Sequence, residues 1–144
     1  MFKKIVWATD GSEAADWALP LAKELATGAG RALVVVHGKE IFVGGRGSGY
    51  PLQADEEDLE AKIRNQAAEA KAEGLDVTVQ MISGAGGHAA HMIVEAAREH
   101  GADVIVVGTR GHSPVAGLLL GGVTQRLLHV AHCPVLVVPP PTTD

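Results

Sequence analysis

Residues 104–124 read VIVVGTRGHSPVAGLLLGGVT. The stretch opens on an unbroken apolar run at residues 104–107 and stops at Gly108. Gly111 follows, then the pair Gly121 and Gly122, after which Val123, Leu127 and Val130 recur at helical spacing. An apolar run without alternation reads as a strand covered on both faces, as parallel sheets require. A buried strand that passes through glycines into a helix N-terminus is a phosphate-holding arrangement. Glycine lets the backbone approach an anion closely, and the unpaired N–H groups of the first helical turn point at it.

The same alternation extends in both directions. Residues 5–8 form a first apolar run, and Asp10-Gly11-Ser12 turns it into a helix capped by Ser12. Ala14, Trp17, Ala18, Leu21 and Leu25 make that helix's apolar face, with Pro20 expected to kink or split it. Residues 32–36 read as a second buried strand, and residues 38–54, containing GGRGSG, as a long mobile loop. Leu59, Ile63, Ala67 and Ala70 line a charged helix closed by Gly74. Val77, Val79 and Met81 alternate with polar residues as a third strand, and residues 84–87 read as a turn. Ala89, Met92, Ile93, Ala96 and Ala97 give a further helical face. Residues 134–138 form a last strand, stopped by Pro139, Pro140 and Pro141. Strands and helices therefore alternate throughout, which predicts a single α/β domain over residues 1–144 with a doubly wound parallel sheet.

Bulk properties narrow the function classes. The chain has 144 residues, 47% hydrophobic and only 3% aromatic, enough for one core of small aliphatic side chains. A formal charge of −5 argues against non-specific binding of nucleic acid or anionic membrane, which need a basic surface. The lone Cys133 excludes an intrachain disulfide and a zinc ribbon. No apolar run approaches spanning length and MFKKIVWATD lacks a signal-peptide shape, so a cytoplasmic location is expected.

Two places carry candidate chemistry. Thr9 and Asp10 lie just past the first strand, where ligands of open α/β sheets bind. The Asp10 carboxylate either accepts from a ribose hydroxyl or adenine amine, or makes only the turn that starts the helix. In the long glycine loop, Val107 and Gly108 end the strand, and Gly108 and Gly111 let the chain pass beneath a phosphate. Gly121, Gly122 and Val123 supply backbone donors, Thr124 a hydroxyl, and Arg110 either screens phosphate charge or sits in solvent. GGRGSG is not a Walker motif, because no lysine follows its last glycine. His88 and His91 stand three apart without a third ligand, and His129, His132 and Cys133 show no metal spacing. No catalytic residue and no metal ligand is assigned.

The spacing G-x2-G-x9-G at Gly108, Gly111 and Gly121 resembles the ATP-binding branch of the universal stress protein family. The likeness runs through IVWATDGSEAADWAL, ALVVVHG, ADVIVVGTRG and HCPVLVVP, essentially the whole chain. The family pattern places serine or threonine after the last glycine, where this chain has Gly122. The resemblance implies strand order 3-2-1-4-5 in an adenine nucleotide α-hydrolase-like fold. It further implies nucleoside contact by Asp10, adenine contact around His37 and Gly38, and a homodimer through residues 134–138. The expected ligand is ATP or another adenine nucleotide, with Mg2+ accompanying it, in a stress-response regulator that reports to a protein partner. At most slow hydrolysis is expected. The alternatives are an interaction module of the same fold that binds no nucleotide, and an enzyme of the wider hydrolase-like group, whose SGGxDS and HxGH motifs are lacking here.

Overall fold

The structure is a computed structural model and describes residues 2–41, 53–85, 89–109 and 122–141. The loop positions Arg110, Gly111 and Gly121, the GGRGSG stretch, His88 and His112 lie outside the described residues. Among the described residues nine elements alternate: β1 (Lys4–Ala8), α1 (Glu13–Ala26), β2 (Ala32–Ile41), α2 (Gln53–Ala72), β3 (Val77–Ala85), α3 (Ala89–His100), β4 (Val104–Gly108), α4 (Gly122–Val130) and β5 (Val135–Val138). The strands form one sheet in the order β3-β2-β1-β4-β5, and every pairing is parallel. This is the doubly wound architecture expected from the alternation and the order implied by the resemblance.

Strand parity sorts the core into two layers. Ile5, Trp7, Leu33, Val35, Val104 and Val106 face α1 and α2, where Ala18, Ala22, Ile63 and Ala67 meet them. Val6, Ala8, Val34, Val36, Ile105 and Val107 face α3 and α4, against Ile93, Val94, Ala97 and Leu127. With helices on both sides, successive strand residues are all buried, which is why the runs show no alternation.

Several sequence expectations change in the structure. β2 continues to Ile41, because its residues 38–41 pair in register with Ile82, Ser83, Gly84 and Ala85 of β3. The same pairing carries β3 through the expected turn at residues 84 and 85. With α2 beginning at Gln53, the expected loop at 38–54 narrows to residues 42–52, which lie outside the described residues. Pro20 is exposed within α1 and does not split it. The buried face of α1 is Ala14, Ala15, Ala18, Ala22 and Ala26, with Trp17, Leu21 and Leu25 only half-buried. In α4 the buried residues are Thr124 and Leu127, and Val123 is 42% exposed. Among the described residues no helix is long and apolar enough to cross a membrane.

Candidate functional site

The sheet reverses its winding at β1, which is flanked by β2 on one side and β4 on the other. Connections leave these strands in opposite directions, so a crevice opens beyond their carboxyl ends. β1 and β4 run in register, Trp7 opposite Val106, and end side by side at Ala8 and Gly108. The structure thus gathers Thr9 and Asp10, His37 and Gly38, and Val107 and Gly108 at one end of three adjacent strands.

The turn after β1 is tightly specified. The Thr9 N–H donates to the Val36 carbonyl at 2.9 Å, extending the pairing with β2. The Gly11 N–H donates to Thr9 Oγ1 at 3.0 Å, and the Ser12 N–H to Asp10 Oδ1 at 2.9 Å. Ser12 Oγ then accepts from the Ala15 N–H, capping α1 as its sequence position suggests. Gly11 has φ +82°, and a Cβ there would stand 2.6 Å from Leu59 Cδ2 of α2. Asp10 therefore does make the turn. A carboxylate has about four acceptor sites, so that bond leaves the ligand reading open.

His37 is 3% exposed, and its ring is held inside the protein. Nδ1 lies 2.8 Å from the Thr9 carbonyl oxygen and Nε2 lies 2.8 Å from Glu56 Oε1. Any adenine contact at this place falls to the backbone and to Gly38. A Cβ on Gly38 would meet Ala89 and Met92 at 3.7 Å, an ordinary contact.

On the β4 side, packing dictates the strand's last residue. A Cβ on Gly108 would lie 2.2 Å from the Ala14 carbonyl oxygen of α1. The Val107 side chain is buried in the core, so its backbone alone can reach a ligand. Gly122 is the first residue of α4, is exposed, and has no described atom within 4 Å of a Cβ built on it. Thr124 is 5% exposed, and its Oγ1 donates to the Gly108 carbonyl at 3.0 Å. That bond ties the first turn of α4 to the end of β4. It also commits the single hydroxyl proton of Thr124, leaving the backbone N–H groups of α4 to face an anion.

Three residues of α2 belong to this arrangement and are not apparent from local motifs. Glu56 holds His37, Leu59 lies against Gly11, and Lys62 Nζ donates to the Gly11 carbonyl at 2.9 Å and to Asp16 Oδ2 at 2.7 Å. Glu56 carries a sequence signal nonetheless. It falls seven residues before Ile63 and fourteen before Ala70, both fully buried, so it lies on the apolar stripe of α2. A carboxylate on such a stripe needs a buried partner.

The remaining polar residues do not build a second site. Among the described residues no group of three or more His, Cys, Asp or Glu is placed to hold a metal ion. Cys133 is half-buried, and burial, with Asp103 nearby, pushes its thiol above the usual range. A cavity of about 400 Å³ opens at the opposite, amino-terminal edge of the sheet. Its wall mixes Lys3, Lys4 and Arg31 with Glu73 and Asp76 and selects neither sign of charge.

A model of the universal stress protein family matches residues 1–139. Universal stress protein MJ0531 of Methanocaldococcus jannaschii is 37% identical over 153 aligned residues, spanning 100% of this chain and 86% of that protein. The solved structure of MJ0577, from the same organism, superposes with a TM-score of 0.78 at 26% identity, covering 99% of both chains. A universal stress protein solved in complex with cAMP gives a TM-score of 0.67 at 27% identity, covering 96% of this chain and 97% of that one. With the doubly wound sheet and its crevice, these matches establish that the chain belongs to the universal stress protein family.

Proposed function

We propose that this chain is a cytoplasmic stress-response regulator that holds ATP or another adenine nucleotide beyond the carboxyl ends of β1 and β4. The observation that carries the reading is the docking of α4. Its first turn, Gly122 to Thr124, is tied by the Thr124 hydroxyl to the last carbonyl of β4, beside the Asp10 turn of β1. Phosphate oxygens at this helix start meet free N–H groups and the positive end of the helix dipole. The nucleoside lies toward Asp10 and Gly38. The relative solved with cAMP supports an adenine nucleotide as the ligand class.

The ligand is regulatory, with slow hydrolysis at most. His37 is occupied on both ring nitrogens, so it is not set up to activate a water. Mg2+ enters with the nucleotide. With no three-ligand acidic cluster among the described residues, the phosphates and water supply most of its coordination. Assembly is a homodimer through the last strand. β5 is an edge strand of half-buried apolar residues, and Leu128 on neighbouring α4 is 49% exposed. A protein partner reads the nucleotide state.

The test is native mass spectrometry of freshly purified protein, then calorimetric titration with ATP, AMP and cAMP. Gly122→Ser is the informative variant. The position opens α4, and among the described residues no atom lies within 4 Å of a Cβ built on it, so serine fits against them. One added phosphate hydrogen bond should raise ATP affinity about five- to tenfold. An empty site with no heat from any of the three nucleotides would favour the non-nucleotide interaction module.

A further inference from the structure

The buried link from Glu56 through His37 to Thr9 has a use beyond packing. Glu56 lies one turn into α2, and the two side chains are only 10% and 4% exposed. The Thr9 carbonyl can only accept, so the hydrogen on His37 must be on Nδ1. Nε2 lies 2.8 Å from Glu56 Oε1, so both ring nitrogens are held in the buried link.

This link fixes a peptide plane. The Thr9 carbonyl and the Asp10 N–H belong to one planar unit, so anchoring the oxygen sets where the Asp10 N–H points. The other polar groups of Thr9 are also engaged, its N–H by Val36 and its Oγ1 by Gly11. Leu59 against Gly11, and Lys62 on the Gly11 carbonyl, hold the next peptide from the same helix. The turn that presents Asp10 is therefore held in part from α2, an element that does not directly follow β1 in the chain.

We propose that Glu56 is a positioning residue of the nucleotide site, acting through His37, and that nucleotide binding and the docking of α2 are coupled through it. This rests on the nucleotide reading above. The coupling is reciprocal, since a ligand that favours the docked turn must favour the docked helix to the same degree. Nucleotide occupancy is thereby reported on a helix remote from the phosphates.

The experiment compares wild type, Glu56→Gln and Glu56→Ala by ATP calorimetry, by nitrogen-detected NMR of the His37 ring, and by hydrogen exchange of α2 with and without ATP. Glutamine donates its amide N–H to Nε2 and leaves the Nδ1 hydrogen on Thr9. Its affinity should stay within about twofold, with the Nδ1–H signature retained. Glu56→Ala frees the ring, so the signature is lost and ATP binds about tenfold more weakly. ATP should slow exchange in the first turns of α2 in wild type and Glu56→Gln, but not in Glu56→Ala. If Glu56→Ala fails to fold, the wild-type exchange decides alone: ATP binding that leaves α2 exchange unchanged overturns the coupling. Equal ATP affinity in wild type and Glu56→Ala, or equal loss in both variants, overturns this proposal and leaves the nucleotide reading standing. Absence of ATP binding to wild type overturns both, even with the His37 signature present.

Discussion

Replacing Gly108 with alanine puts one carbon where two backbones already meet. The added Cβ would stand 2.2 Å from the Ala14 carbonyl oxygen and 2.8 Å from its carbon. Ordinary contact begins near 3.4 Å, so β4 and α1 must part by about 1.2 Å. Neither yields easily. β4 is paired on both sides, and α1 is pinned by its Ser12 cap and by the Trp7 indole N–H on the Ala15 carbonyl at 3.0 Å. Overpacking of this kind typically costs about 1–3 kcal/mol in well-packed cores, and contact with backbone places Gly108→Ala at the upper end. For a chain this long the loss lowers Tm by about 10 °C. Gly108 is not in the left-handed region, so alanine carries no intrinsic backbone penalty there. Its effect on the unfolded chain alone would be slightly stabilising. Scanning calorimetry without nucleotide measures the shift. ATP titration of the same variant should show weaker binding, because β4 ends at the crevice and α1 begins at the turn that presents Asp10. A Tm within about 2 °C of wild type would refute the reasoning. It would mean that α1 rides over β4 with slack the structure does not contain.

Thr124→Val removes the donor to the buried Gly108 carbonyl and should cost about 1–2 kcal/mol in urea unfolding, whereas no loss would mean that water replaces the bond. The Asp103 carboxylate accepts from the Lys4 and Lys3 N–H groups, which hold its pKa below the usual carboxylate range. Its contribution to stability is therefore complete above about pH 4 and fades as pH falls through the lowered value, and a carbon-detected NMR titration with an ordinary or raised midpoint would contradict this. In a parallel ladder the Ile105 N–H bonds Pro134, so the N–H groups of Leu136 and Val138 face β4 and that of Val137 faces outward. Val137→Pro should leave the fold intact and yield monomers in light scattering, while a persistent dimer would exclude pairing through this edge.

The sequence was most legible where burial is symmetrical. Helices cover both faces of the sheet, so the cores of β1, β2, β4 and β5 appear as plain apolar runs. Ser12 was equally readable because a cap is a local device. The end of β2 was not, since Gly38, Lys39, Glu40 and Ile41 have no strand periodicity and are held by backbone pairing to β3. That pairing is decided by a partner some forty residues on. Candidate site residues divide in the same way. The ends of β1 and β4 follow from strand boundaries, but Glu56 and Lys62 act across a tertiary contact that no spacing rule announces. Thr124 is instructive: its spacing suits a phosphate ligand, and its hydroxyl proton goes to the Gly108 carbonyl instead.

The two walls of the crevice are held by different means, and under the nucleotide reading this bears on which nucleotides the chain would tell apart. The β1 wall is fixed by side-chain hydrogen bonds from α2, and the β4 wall by close packing at Gly108 and the Thr124 hydroxyl. The nucleoside end keeps the Asp10 carboxylate. The phosphate end lacks the family's hydroxyl at Gly122, and the nearby Thr124 has spent its proton. Among the described residues, what remains for the phosphates is the backbone N–H groups and the helix dipole, which serve any anion at the helix start. Under the nucleotide reading, this chain separates ATP from AMP weakly. Gly122→Ser should widen that gap by raising ATP affinity while leaving AMP nearly unchanged. An equal gain for both nucleotides would place the phosphates elsewhere than at the start of α4.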